Sequence, residues 1–172
     1  VLLDIDGVLF TGTEPIPGAS ETLLALKKKK IPYRFISNGT RKNRARVLDR
    51  LSRLAVPLTE DLIITPAIAA IEYLKENGYS SCTLLTTDEL RQDFIAAGIT
   101  VADDAPVLVI GDAWNGFVYE SVNNAFRQVM GGASLIALEK DRFWKDGDAL
   151  SLGAGAFVAG LEYASGKEAL LM

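Results

Sequence analysis

Two aspartates lie two residues apart at the exit of an apolar run: residues 1–5 are apolar except for Asp4, and Asp6 stands just before Gly7. Side chains at positions i and i+2 of a strand point to the same side. A charge in a buried strand is costly, and ligands of open α/β sheets bind at the carboxyl ends of the strands. The pair is therefore a candidate ligand site, the alternative being a turn or capping pair.

A second polar segment, Ser37-Asn38-Gly39-Thr40, follows the strand predicted over residues 33–36. A hydroxyl and free backbone N–H groups at a strand-to-helix turn can bind an anion, although the same residue types also form ordinary turns and helix caps. One predicted helix separates this segment from Asp4. The two strands and the helix therefore form one βαβ unit, which places both loops side by side at one edge of a parallel sheet.

Apolar runs and helical patterns alternate along the chain, which predicts an α/β fold with mostly parallel sheets, one before about residue 65 and one after it. A basic helix is expected over 43–54, because Val47, Leu48, Leu51 and Leu54 have helical spacing. Residues 141–148 read as a polar loop, and a last helix is expected over 156–164.

The composition excludes several classes of function. The chain has 172 residues and a net charge of −4, which does not favour nucleic-acid binding. The run of lysines at 27–30 reads as a solvated helix end. No apolar run reaches the ~20 residues needed to cross a bilayer. The absence of histidine excludes Ser-His-Asp catalysis and histidine zinc sites, and the one cysteine, Cys82, indicates a reducing, cytoplasmic setting.

These motifs resemble those of the haloacid dehalogenase superfamily, in particular the phosphatases of subfamily IIA that carry a large α/β cap after the second motif. The branch includes 4-nitrophenylphosphatase-like, phosphoglycolate and phospholysine/phosphohistidine phosphatases. The resemblance rests on residues 4–9, 12, 15–18, 37–40, 119–120 and 153–162. It implies a Rossmann-like core over residues 1–65, continuing after about 160, and an inserted C2-type cap over 66–160.

The resemblance also implies roles for individual residues. Asp4 would be the nucleophile that forms an aspartyl-phosphate, and Asp6 the general acid and base. Asp4 and Asp6, the latter through its backbone carbonyl, would hold Mg²⁺. The phosphoryl group would be bound by Gly7, Ser37, Asn38 and Gly39. The implied protein is a magnesium-dependent phosphatase of a small phosphorylated metabolite, with no nucleic-acid or membrane partner and with a possible homodimer through the cap.

The sequence departs from the family pattern in one respect. The lysine of a Gly-Lys-Pro segment and a later acidic loop are absent, and Lys167 in Ser-Gly-Lys-Glu does not match that lysine. The sequence is therefore expected to be incomplete at both ends. The alternative is a catalytically incomplete module that binds phosphate or has a regulatory role.

Two further segments carry expectations about the cap. Residues 107–112 end in Gly-Asp and resemble the family's final acidic motif, but 113–118 contain no second acid, so a cap strand is favoured. Arg142 and Trp144 lie in the polar segment 141–148, where a cation and an aromatic ring could select the substrate. The alternative for this segment is a surface loop with a packing role only.

Overall fold

The computed structural model describes residues 1–172. The strands are β1 (Leu2–Asp4), β2 (Phe10–Thr11), β3 (Glu14–Pro15), β4 (Arg34–Ile36), β5 (Ile63–Ile64), β6 (Ser81–Leu85), β7 (Thr100–Val101), β8 (Val107–Ile110), β9 (Ser134–Ala137), β10 (Phe143–Asp146), β11 (Ala149–Leu152) and β12 (Leu170–Leu171). The helices are α1 (Ala19–Lys28), α2 (Arg44–Ser52), α3 (Pro66–Glu76), α4 (Asp88–Ala96), α5 (Tyr119–Met130) and α6 (Gly155–Ser165), with short 3₁₀ turns at Glu60–Leu62 and Trp114–Gly116.

The first sheet is small and parallel, with the strand order β1-β4-β5. Asp4 pairs with Ile36, and Ile36 pairs with Ile64, so the three strands end at one level. The buried side chains beneath this sheet include Ile5, Phe10, Leu23, Phe35 and Leu51, which form one cluster. The apolar face of α2 contributes to that cluster, as its helical spacing predicted.

The second sheet has five parallel strands in the order β12-β9-β8-β6-β7. Every residue of its central strand, β8, is buried. Val107 and Val109 pack with α3 and α4, whereas Leu108 and Ile110 pack with α5 and α6. Because successive side chains of a strand point to opposite faces, a strand covered by helices on both sides needs the uninterrupted apolar run seen here.

The α/β class and the parallel sheets are confirmed. The strand over 107–110 belongs to the second sheet and not to the sheet that contains β1. This is the arrangement that its interpretation as a cap strand requires. The prediction of a polar loop over 141–148 is wrong, because β10 and β11 form an antiparallel hairpin. Its two connecting residues are Gly147 and Asp148, and Gly147 has φ 59°, so the glycine supplies the left-handed conformation of a tight hairpin turn.

No strand pairs across the two sheets. The division into a core over 1–65 and a cap over 66–160 remains a prediction. The last strand, β12, pairs with β9, and the Met172 N–H donates to the Ala137 carbonyl. The residues after 160 therefore stay with the second sheet, since two apolar residues there extend its edge. None of the helices has the length and apolar character that a membrane span requires.

Candidate active site

Parallel pairing of β1 with β4 brings the two predicted motifs together. Asp4 ends β1 opposite Ile36, so the loop that carries Asp6 lies next to the loop that begins at Ser37. Gly7 adopts φ 76°, and its N–H donates to the Phe10 carbonyl at 2.8 Å. This tight turn folds the chain back after Asp6, because glycine takes a positive φ without steric cost.

Ser37 is fixed at the end of β4. Its backbone N–H donates to the Ile64 carbonyl at 3.0 Å, and its buried hydroxyl accepts the Gly39 N–H at 3.4 Å. The hydroxyl and the following backbone groups thus face one loop interior. This is the arrangement in which a strand-to-helix turn binds an anion.

A cleft of about 600 Å³ opens beside these loops. Its lining includes Asp6, Ser37, Asn38 and Gly39 from the first sheet and basic residues of α2 and the preceding loop. Of the other predicted site residues, Trp144 lines the cleft, whereas Asp4, Gly7 and Arg142 do not. Asp4 is exposed at the strand end, with its Oδ1 accepting the Ile5 N–H at 2.7 Å.

The Asp6 carboxylate forms an ion pair with Arg50 of α2. The distance from Arg50 Nη2 to Asp6 Oδ1 is 2.7 Å, and 65% of the Asp6 side chain is exposed. The same Nη2 donates to the Gly12 carbonyl at 2.6 Å. Helix α2 therefore holds both the candidate acid and the hairpin of β2 and β3 that follows it.

Acidic groups of the second sheet close the opposite side of the cleft. The Thr40 hydroxyl donates to the Glu139 carboxylate and accepts the Asp112 N–H at 3.0 Å. Burial raises the pKa of Glu139, and the Thr40 hydrogen bond opposes that rise. The Arg41 Nε donates to Asp112 Oδ2 at 2.6 Å. The loop after Ser37 is thus bonded directly to the strand ends of the second sheet.

Two tryptophans flank the Arg41 guanidinium. The Arg41 Cζ lies 4.0 Å from the Trp114 ring centre and 4.6 Å from that of Trp144. Trp114 comes from the turn after β8 and Trp144 from the hairpin of β10 and β11. Cation–π contacts of this kind hold a guanidinium against both rings, so Arg41 connects the loop after Ser37 to the hairpin.

The family is decided by a sequence profile of haloacid dehalogenase-like hydrolases, which matches residues 1–100, more than half of the chain. The chain belongs to the haloacid dehalogenase-like hydrolase family.

Individual relatives agree with this assignment. Haloacid dehalogenase-like hydrolase domain-containing protein 2 of Bos taurus is 38% identical over 172 residues, covering 100% of this chain and 65% of that protein. Phospholysine phosphohistidine inorganic pyrophosphate phosphatase of Homo sapiens is 36% identical over 175 residues, covering 98% of this chain and 63% of that protein. The chain thus spans less than two thirds of the length of these relatives.

A solved structure shares the fold. The p-nitrophenyl phosphatase of Archaeoglobus fulgidus superposes with a TM-score of 0.91 at 26% identity, covering 99% of this chain and 66% of that one. The similarity includes both sheets, because almost the whole chain is covered.

Membership of this family implies a metal ion bound by Asp4 and Asp6. The oxygen atoms of these two residues fit such an ion in part. Mg²⁺ prefers oxygen ligands, keeps several waters and is usually held by one or two carboxylates together with substrate phosphate. Asp4 and Asp6 supply such oxygens at the strand end. The chain has no group of three or more acidic, histidine or cysteine side chains that could hold a metal alone. These two aspartates would therefore provide only part of a coordination shell.

Sequence reasoning missed the residues that connect the two sides of the cleft: Thr40, Arg41, Arg50, Asp112 and Glu139. Arg50 carried a detectable signal, because Arg46, Arg50 and Arg53 are spaced i, i+4, i+7 and so share one face of α2 beside its apolar face. Asp112 and Glu139 follow strands of the second sheet. Their contacts with the first sheet depend on how the sheets meet, which no local pattern encodes.

Proposed function

We propose that the protein is a magnesium-dependent phosphatase that hydrolyses a small phosphate ester or phosphoramidate through an aspartyl-phosphate. One observation carries the proposal: the register of β1 and β4 puts the Asp4–Gly7 turn beside the Ser37–Gly39 loop. The residues proposed as nucleophile, acid and anion-binding loop therefore share one edge of a sheet. The names of the human and archaeal relatives, both phosphatases, support the same reaction class.

The first step transfers the phosphoryl group to the protein. A carboxylate oxygen of Asp4 attacks phosphorus while the bond from phosphorus to the leaving oxygen or nitrogen breaks. Asp6 donates its proton to the leaving atom, so that a neutral product departs. Asp4 is exposed and keeps an oxygen free for attack, because its Oδ1 alone accepts a protein hydrogen bond.

The second step regenerates the site. A water attacks phosphorus and gives its proton to the Asp6 carboxylate, and the bond between phosphorus and the Asp4 oxygen breaks to release phosphate. During both steps the Ser37 hydroxyl and the N–H of Asn38 would bind the phosphoryl oxygens. A bound Mg²⁺ would offset the negative charge of the phosphoryl group beside the two aspartates.

The cleft favours a small substrate. Its volume of about 600 Å³ lies within the range typical of small-molecule sites. The substrate would be a phosphorylated metabolite whose leaving group extends towards Trp144. A reducing, cytoplasmic setting is part of the proposal, supported by the single cysteine: Cys82 is buried, and burial raises the pKa of its thiol to about 12, so it is unreactive.

Phosphate release from a panel of phosphate esters and phosphoramidates tests the proposal in the intact protein. We expect turnover with Mg²⁺, loss of turnover after chelation with EDTA, and recovery when Mg²⁺ is restored. If inorganic phosphate binds by calorimetry but no panel member is hydrolysed, the catalytically incomplete, phosphate-binding alternative replaces this proposal.

A further inference from the structure

Arg50 occupies an unusual position at the mouth of the cleft. It lies in the last turn of α2, its side chain is 26% exposed, and its Nη2 bridges Asp6 Oδ1 and the Gly12 carbonyl at 2.7 and 2.6 Å. Its Cζ also lies 4.8 Å from the centre of the Phe10 ring, which is fully buried. Three contacts therefore fix the guanidinium, so Arg50 is not a freely solvated surface arginine.

The contact with Asp6 involves only one carboxylate oxygen. Oδ1 accepts from Arg50, whereas Oδ2 accepts no hydrogen bond from the protein. Because 65% of the Asp6 side chain is exposed, packing does little to restrict rotation of its carboxylate. The Arg50 bond is thus the only protein hydrogen bond that selects which Asp6 oxygen faces the cleft.

We propose that Arg50 is a positioning residue for acid catalysis: it holds Asp6 Oδ1, so that Oδ2 carries the proton delivered to the leaving group. The inference rests on the proposed function. In the phosphoryl-transfer step, the Oδ2–H bond breaks as the bond from hydrogen to the leaving oxygen forms, and Oδ1 stays paired with the guanidinium. The cation keeps the proton off Oδ1, because a protonated oxygen there would face the Arg50 N–H donor.

Arg53 provides a matched control. It is the C-cap residue that directly follows α2, three positions after Arg50, and its Nη1 donates to the Thr13 carbonyl at 3.2 Å. Arg50 and Arg53 therefore hold consecutive carbonyls in the turn between β2 and β3, but only Arg50 contacts Asp6. An effect that passes through the hairpin should appear in both variants, and an effect on Asp6 only in the Arg50 variant.

The test compares leaving groups. A nitrophenolate departs without needing a proton, whereas an alkoxide requires one, so kcat/KM for an alkyl phosphate depends on the acid and kcat/KM for 4-nitrophenyl phosphate depends on it little. Using kcat/KM restricts the comparison to steps up to departure of the leaving group, before Asp6 acts as a base. Wild type, Arg50→Met, Arg50→Lys, Arg53→Met and Asp6→Asn would be assayed as intact proteins.

We expect Arg50→Met to lower kcat/KM about 10-fold or more for the alkyl phosphate and less than about 3-fold for 4-nitrophenyl phosphate, part of the 10²–10⁴ range of general acids. Asp6→Asn should give the same pattern with a larger loss. Arg50→Lys should recover part of the activity, because an ammonium binds Oδ1 but lacks the planar fork. Arg53→Met should change both substrates by one factor.

Equal losses on both substrates in Arg50→Met would overturn the inference, as would a leaving-group dependence in Arg53→Met. If Arg50→Met does not fold, as judged by circular dichroism, the same comparison in Arg50→Lys decides the question. Wild-type protein that hydrolyses neither substrate would instead refute the proposed function, and the role of Arg50 with it.

Discussion

Asp6 and Asp112 each lie two residues beyond the last residue of a parallel strand, Asp6 after β1 and Asp112 after β8. Both carboxylates border the same cleft. Asp6 is 65% exposed and has one oxygen free of protein hydrogen bonds. Asp112 is 12% exposed, and both its oxygens are occupied, Oδ2 by the Arg41 Nε and Oδ1 by the Trp114 N–H at 2.8 Å.

This difference shows that the position of an acid at a strand end does not by itself determine its role. The carboxyl end of a parallel strand places an acid at a ligand-binding edge in either sheet. Catalysis also requires an oxygen that can reach a substrate. Both oxygens of Asp112 are occupied by hydrogen bonds, and moving its side chain would leave the Arg41 Nε and the Trp114 N–H without these partners. The first sheet therefore offers acids that each have one oxygen free of protein hydrogen bonds, whereas the acids of the second sheet bind the loop after Ser37 and fix how the two sheets meet.

The largest expected effect tests this contrast directly. Asp4→Asn should lower turnover of phosphate esters by about 10⁴-fold or more, because an amide of nearly the same shape is a far poorer nucleophile. Its thermal unfolding should be close to that of wild type. The matched variant Asp112→Asn should show the reverse: measurable destabilisation, with kcat retained within about 10-fold. Phosphate release and thermal melts measure both properties, and wild-type turnover in Asp4→Asn would end the mechanism.

Much of the fold could be predicted because it depends on local patterns. The apolar run of β8 and the helical spacing in α2 predicted a buried strand and a packed helix, and both are present. The hairpin over 143–152 was missed. Its side chains are mostly exposed and show no clear alternation, so only the Gly147-Asp148 turn indicated a hairpin.

The candidate site was predictable only in part, for the same reason. Asp6 and Ser37 were placed together because two neighbouring strands of one sheet position them. Arg142 was expected to select the substrate together with Trp144, but Arg142 lies just before β10, and of these two residues only Trp144 lines the cleft. The hydrogen bond between Thr40 and Glu139 joins residues far apart in sequence. It depends on how the two sheets pack together, so no local sequence pattern predicts it.

Thr40 tests how much the hydrogen bonds between the two sheets contribute to stability. It is 3% exposed, and its hydroxyl donates to Glu139 and accepts from the Asp112 N–H. Thr40→Val keeps the shape but removes both bonds, leaving a buried N–H and a carboxylate unpaired, which should cost about 1–3 kcal/mol of unfolding free energy. Thr40→Ser retains the hydroxyl and should lose less. Urea unfolding measures both, and unchanged stability in Thr40→Val would contradict a stabilising role of these hydrogen bonds.

Trp144 and Arg142 test whether the second side of the cleft selects substrates. Trp144→Ala removes a ring that lines the cleft and contacts Arg41, so the ratio of kcat/KM between a bulky and a small phosphate ester should change by about 10-fold, or ~1.4 kcal/mol. Arg142 is exposed outside the cleft, and Arg142→Ala should leave the ratio within about 2-fold. If Trp144→Ala slows every ester by one factor, the ring has only a packing role.

The smallest expected effect concerns the pH dependence of the acids that hold the sheets together. Burial raises the pKa of Glu139 above 4.5, its ordinary value, which means that the folded protein binds that proton more tightly than the unfolded chain. The stabilisation from this proton is fully present below pH 4.5. It is lost as pH rises through the folded pKa.

Glu139→Gln removes this dependence but keeps an oxygen that can accept the Thr40 hydrogen bond. Relative to wild type, the variant should gain stability as pH rises from 4 to 7, by less than about 1 kcal/mol. Glu162→Gln is a control of opposite sign: hydrogen bonds from Lys140 and the Ala169 N–H lower the pKa of Glu162. That variant should lose stability relative to wild type over the same interval, because wild type gains from the ionised carboxylate above pH 4.5. Urea unfolding at several pH values distinguishes them, and parallel curves for Glu139→Gln and wild type would show that the Glu139 carboxylate is not destabilised by burial.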